Sequence, residues 1–148
     1  MKKLFLYCSY TGNGDDLSRV MESKGYEIRK VQIKRKMSKV LFFAMMGGGF
    51  RALIGAKERL VDYNPDVSEY DEIVIGAPIW NARLAPGANS ILAQTDLSNK
   101  KLSFILYSGS GTGKKAEEKL NKLFPEAKIV FLQQPKDRPE EYSKLEEF

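Results

Sequence analysis

Histidine is absent from this chain. That removes the commonest general base and metal ligand working near neutral pH. Neither a Ser-His-Asp nor a Cys-His nucleophilic device can be assembled, and an imidazole-bound zinc is excluded. Cysteine occurs once, as Cys8, so there is no intramolecular disulfide framework and no cysteine cluster for zinc or iron–sulfur. Cys8 sits in an apolar run, where it reads as a small buried hydrophobe rather than a reactive thiol. Long apolar runs are also missing. Leu4 to Cys8 is cut short by Ser9, too early for a secretory leader. Val40 to Phe50, which includes three glycines, ends at Arg51 and falls short of the roughly 18 residues of a membrane span. These absences lead us to expect a cytoplasmic protein with no transmembrane segment, no metal and no catalytic side chain of its own.

The chain is 148 residues, 43% hydrophobic and 29% charged, which suits one globular domain over residues 1–148. Its net charge of +5 is unevenly placed. Lys34, Arg35, Lys36, Lys39, Arg51, Lys57 and Arg59 face a single acid, Glu58, so Lys34–Arg59 carries +6 and the remainder is slightly acidic.

Apolar, β-branched runs alternate with helix-like stretches. Lys3 to Ser9 reads as a buried strand, Asp15 to Lys24 as a helix stopped by Gly25, and Tyr26 to Ile33 as an alternating edge strand. Asp71 to Ala77, Lys101 to Tyr107 and Ala127 to Leu132 read as three more strands. Gly87 to Gln94, Lys114 to Phe124 and Arg138 to Phe148 read as helices, the last starting near Pro139. Strands alternating with helices imply an α/β protein with a parallel sheet covered on both faces. Five strands in this rhythm fit a three-layer, doubly wound sheet of order 2-1-3-4-5, whose ligands bind beyond the carboxyl ends of the strands.

Three loops at that end carry chemistry. The first, Ser9-Tyr10-Thr11-Gly12-Asn13-Gly14, joins a strand to a helix. Small residues let its amides turn inward, Ser9, Thr11 and Asn13 add side-chain donors, and the helix adds its positive end, which together suit a phosphate. An ordinary polar turn with an Asx cap is the plainer reading of the same residues. The second, after strand three, contains Pro78, Ile79, Trp80 and Asn81, and holds the only tryptophan of the chain. Trp80 can offer a flat face to a planar heterocycle, or cap the core. The third, Ser108-Gly109-Ser110-Gly111-Thr112-Gly113, alternates glycines that let backbone approach a ligand. It is not a nucleotide triphosphate loop. That spacing needs glycine at Ser108 and Ser or Thr at Lys115.

The three segments together resemble the flavodoxin family. Ser9-Tyr-Thr-Gly-Asn-Gly14 is similar to its phosphate loop, Ser/Thr-x-Thr-Gly-Asn-Thr, Gly76-Ala-Pro-Ile-Trp80 to its first flavin loop, and Ser108 to Gly113 to its second, in family order along nearly the whole chain. The resemblance implies a non-covalently held FMN. Ser9, Tyr10, Thr11, Gly12, Asn13 and Gly14 would hold its phosphate. Pro78, Ile79, Trp80, Asn81, Ser108, Gly109, Ser110, Gly111 and Gly113 would hold its ring. Two departures stand out: Gly14 replaces the usual threonine, and the chain is basic where flavodoxins are acidic.

An electron carrier is the function this implies. An NAD(P)H-dependent flavin or quinone reductase is the alternative on the same scaffold, and a regulatory module with weak FMN affinity is the third. The short loops leave little chain for a second substrate pocket. The Lys34–Asn64 stretch between strands two and three reads as a helix covering the sheet with its basic residues solvated. Its sharper reading is a docking surface for an acidic redox partner, an anionic lipid surface or a phosphorylated cosubstrate. No nucleic-acid partner is expected, because no recognition motif accompanies the charge.

Overall fold

The computed structural model describes residues 1–8, 10, 12–33 and 59–148. In chain order its elements are β1 (Lys3–Tyr7), α1 (Asn13–Ser23), β2 (Glu27–Lys30), β3 (Gln32–Ile33), β4 (Leu60–Val61), β5 (Glu72–Trp80), β6 (Arg83–Leu84), α2 (Pro86–Gln94), β7 (Lys101–Ser108), α3 (Lys114–Leu123), β8 (Lys128–Gln133) and a 3₁₀ helix, Pro139–Leu145.

Strands β1, β5 and β7 are apolar almost throughout because helices cover both faces, so neither set of alternate side chains meets water. The five main strands are parallel in the order β2-β1-β5-β7-β8, which is the expected 2-1-3-4-5 arrangement. Successive residues of β5 point to opposite sides. Ile73, Ile75, Ala77 and Ile79 join Ala88 and Ile91 of α2 and Ala116 and Leu120 of α3. Val74 joins Leu17 and Met21 of α1 and Leu145 of the 3₁₀ helix. The order reverses beside β1, so α1 leaves the sheet on one face and α2 on the other. Their amino ends mark the crevice where such sheets bind ligands.

Several boundaries differ from the sequence reading. The Tyr26–Ile33 strand divides at Val31, whose N–H donates to Tyr7 O at 2.7 Å. Beyond it, Gln32–Ile33 turns away and pairs antiparallel with Leu60–Val61, a strand the sequence reading lacked. Helix α1 begins at Asn13 rather than Asp15, so Asn13 and Gly14 belong to its first turn and not to a loop. The terminal helix is a 3₁₀ segment shorter than Arg138 to Phe148. Ser9, Thr11 and all of the basic stretch except Arg59 lie outside the described residues. No helix among the described residues is long and apolar enough to cross a membrane.

Candidate functional site

The crevice is built from four segments. The first is the amino end of α1. Gly12 is its N-cap, with φ of 90°, a left-handed conformation that glycine adopts freely. The helical ladder opens with Asp16 N–H donating to Gly12 O at 3.1 Å, so the positive end of the helix lies just inside Gly12. Two acids in this turn are engaged elsewhere. Asp15 Oδ1 accepts from Tyr7 Oη and from Lys30 Nζ, each at 2.7 Å. Asp16 accepts from the Tyr142 hydroxyl and lies 3.5 Å from Arg19. Burial opposes the charge on Asp15, but the bonds from Lys30 and Tyr7 outweigh it and hold its carboxyl below the usual range. Burial and the bond to Asp15 push the Tyr7 phenol up to about 12, so it stays a donor.

The second segment was not signalled by any sequence motif. After β8, Lys136 N–H donates to Asn13 Oδ1 at 3.1 Å, across 123 positions of sequence. This folds the Lys136 side chain over the amino end of α1. A Cβ built on Gly12 would lie 3.4 Å from Lys136 Nζ and 3.6 Å from its Cδ. Lys136 therefore brings a positive charge to the N-cap of α1, beside Gly12.

The third segment corrects the sequence reading. Pro78, Ile79 and Trp80 are on strand β5 and not in a loop. The strand continues because it folds back on β6, with Ile79 opposite Leu84 and Trp80 opposite Arg83. The two turn residues, Asn81 and Ala82, have φ of 49° and 63°. Two successive left-handed residues match the twist of a two-residue hairpin, although alanine adopts this conformation at a cost. Ala85 N–H donating to Pro78 O at 3.1 Å extends the ladder, and Ala116 N–H donating to Ala82 O at 2.8 Å fastens the tip to α3. Ile79 and Leu84 are buried in the core. Cross-strand partners share a face, so Trp80 and Arg83 stand together on the other side. The Trp80 ring meets Tyr10, with centroids 4.5 Å apart at 55°, which connects the hairpin to the first loop. Arg83 Nε is buried and has no hydrogen-bond partner. Leaving such a donor unpaired costs about 1–3 kcal/mol, and more for a charged group.

The fourth segment follows β7, which includes Ser108. Ser108 Oγ accepts from Gly111 N–H at 2.9 Å and Thr112 N–H at 3.2 Å, and donates to Thr112 O at 3.1 Å. One hydroxyl thus uses its donor and both lone pairs to curl the loop. Gln133 Nε2 steadies Gly109 O at 3.1 Å. At Gly113 a Cβ would stand 2.9 Å from Ile79 Cγ2, so the loop rests directly on β5.

Of the residues expected from sequence, the structure brings Tyr10, Gly12, Asn13 and Gly14 to one end of the sheet with Pro78 to Asn81 and Ser108 to Gly113. Cys8 lies beneath them, 1% exposed, and burial pushes its thiol up to about 12. The positive helix end, the lysine above it, the aromatic hairpin and the glycine-rich curl make a donor set suited to a phosphate joined to a flat polar heterocycle.

A candidate flavoprotein from Bacteroides uniformis superposes with a TM-score of 0.72 at 23% identity, covering 86% of this chain and 86% of that one. Another from Bacteroides eggerthii gives a TM-score of 0.74 at 17% identity, covering 97% and 95%. A flavoprotein from Lactobacillus acidophilus, in complex with FMN, gives 0.67 at 17% identity, covering 94% and 97%. No protein-family model matches the chain, and no curated protein matches it. By its strand order and by these likenesses, the chain has a flavodoxin-like fold.

Proposed function

We propose that this chain binds one FMN without a covalent bond and carries electrons with it. The observation that carries this reading is the meeting of four segments at the switch point of the sheet: a phosphate-suited helix end, a lysine, a tryptophan hairpin and a glycine-rich curl. The similar flavoprotein from Lactobacillus acidophilus, in complex with FMN, supports it.

Gly12, Asn13 and Gly14 would receive the phosphate at the amino end of α1, with Lys136 above it, and Ser9, Tyr10 and Thr11 completing the loop. Engagement of Asp15 by Lys30 and Tyr7 draws an opposing charge away from that phosphate. Trp80 and the Ser108–Gly113 curl would flank the ring, excluding water from its faces. Pro78, Ile79 and Asn81 shape the hairpin beside it. When bound, FMN supplies one- and two-electron transfer, and the protein's part is to hold the ring and set the electrostatics around it. An acidic redox partner meeting the Lys34–Arg59 stretch, net +6, belongs to the same proposal.

Calorimetric titration with FMN, riboflavin, FAD and ATP tests the cofactor. FMN should bind tightest, and FAD or ATP binding tighter than FMN overturns the reading. Stopped-flow oxidation of the reduced protein then tests the role. Rapid transfer to a one-electron acceptor protein is expected of a carrier. Turnover of NAD(P)H with quinone would instead make the chain a reductase.

A further inference from the structure

At the amino ends of the strands, away from the crevice, lies a cavity of about 460 Å³. Sites for small molecules typically enclose roughly 300–1,000 Å³. By the length of β5 it is about 25 Å from the candidate flavin site. Leu97, Leu102, Phe124, Pro125 and Phe148 give it apolar walls, and Glu72 and Ser103 give it buried polar groups, 3% and 5% exposed. Glu72 on β5 pairs with Lys101 on β7, and Ser103 stands two residues further along β7, so the three side chains share one face of the sheet.

The cations here are engaged. Lys100 Nζ donates to Tyr70 O at 2.6 Å and to Ser68 O at 3.2 Å. Lys101 Nζ balances Glu72 at 3.1 Å, and Lys128 Nζ balances Glu147 at 2.7 Å while standing 4.8 Å from the centre of the Phe148 ring. No unbalanced charge is left for a charged ligand to meet. What remains is acceptor capacity. A carboxylate has about four lone-pair positions, and Tyr26 and Lys101 take two of those on Glu72. Ser103 Oγ makes no hydrogen bond among the described residues. Nor is it sealed in. Arg83 Nε is the only fully covered side-chain nitrogen or oxygen without a partner among those residues, so the Ser103 hydroxyl keeps open surface on the cavity it lines. A buried hydroxyl with no partner in the protein is one that a ligand can satisfy without displacing a protein contact.

We propose that this cavity binds a small neutral aromatic molecule of the phenol or indole class, its ring against Phe124, Phe148 and the leucines and its N–H or O–H donating to Ser103 Oγ beside Glu72. The site is separate from the flavin crevice and does not depend on the FMN reading.

Indole, N-methylindole and indole-3-acetate, titrated into the whole chain by calorimetry, test it. Indole should bind wild-type protein about fivefold more tightly than N-methylindole, which lacks the donor. Indole-3-acetate should bind more weakly than indole, because its charge approaches the buried Glu72 carboxylate. Ser103→Ala should bring indole down to the N-methylindole value and leave N-methylindole unchanged. In nitrogen–proton NMR spectra, indole should shift the amides of Lys101–Ser103 and Ala127–Lys128 and leave those of Gly12–Gly14 in place. Wild-type protein that binds no indole, or that binds indole and N-methylindole alike, overturns the proposal. So does a Ser103→Ala protein that keeps the wild-type preference, or one that loses both molecules equally. Tighter binding of indole-3-acetate overturns the neutral class, and shifts confined to the Gly12–Gly14 end overturn the location.

Discussion

Lys136 lies so close over Gly12 that a Cβ there would come within 3.4 Å of its ammonium nitrogen. The two residues come from opposite ends of the chain, and their contact places a cation at the positive end of a helix. Lys136 is exposed, so solvent screens its charge from the helix end. Replacing Lys136 with Met should weaken FMN by about 1–2 kcal/mol, as for one exposed charge-assisted contact. Riboflavin, which has no phosphate, should bind both proteins equally. Parallel titrations with the two flavins check this, and equal loss for both places Lys136 away from the phosphate.

Ser108 organises its loop with one hydroxyl, so Ser108→Ala should leave Gly111 and Thr112 without their internal partner. The curl is exposed and water can replace these bonds, so the melting temperature should change little. Binding should suffer more, because the loop must be ordered at the moment the ring enters. A loss of about 1 kcal/mol for both FMN and riboflavin is expected by calorimetry. A large drop in melting temperature with unchanged affinity would contradict this.

Trp80 is the only tryptophan, so its emission reports on one place. Its ring is half-buried against Tyr10 in the crevice. Titration with FMN should quench that emission in proportion to occupancy. Emission that is identical with and without bound FMN would assign Trp80 to core packing alone.

Glu72, at the far end of β5, is 3% exposed. It accepts from the Tyr26 hydroxyl and from Lys101 Nζ at 3.1 Å. Burial opposes its charge, but Tyr26, Lys101 and Lys3 more than offset this, and the carboxyl titrates below its ordinary value of 4.5. A depressed value in the folded state means that the contribution is complete above the unfolded value and fades as pH falls through the folded one. Glu72→Gln should cost about 1–3 kcal/mol at pH 7. The gap to the wild type should narrow below pH 4.5. Urea unfolding of both proteins from pH 7 to pH 3 measures it, and a gap that is constant with pH would show that the charge contributes nothing.

The strand order was legible because β1, β5 and β7 are continuous apolar runs separated by helical stretches, a pattern that admits few topologies. Other features left no local trace. Pro78 is a residue that normally ends a central strand, and it hid the continuation of β5 to Trp80. What sustains that continuation is a two-residue partner, Arg83–Leu84, too short for any periodicity to register. Leu60–Val61 escaped for the same reason. The contact between Lys136 and the first turn of α1 spans nearly the whole chain and depends on how the last loop returns, which no spacing encodes. Helix α1 starts earlier than Asp15, with Gly12 as its N-cap in a left-handed conformation and no side-chain cap to mark the place in the sequence.

The burial of Cys8 gives the molecule a clock for its own opening. Its N–H donates to Gly76 O at 3.2 Å and its carbonyl accepts from the Tyr107 hydroxyl, while its thiol is covered by the first turn of α2, where a Cβ on Gly87 would stand 3.4 Å from Cys8 Sγ. A thiol-specific reagent in the bath can react only when that junction parts. The labelling rate therefore reads the free energy of unlatching at the very end of the sheet where a ligand would sit. Any molecule seated across that end must slow the clock by its own binding free energy, whether or not it is coloured, fluorescent or redox-active.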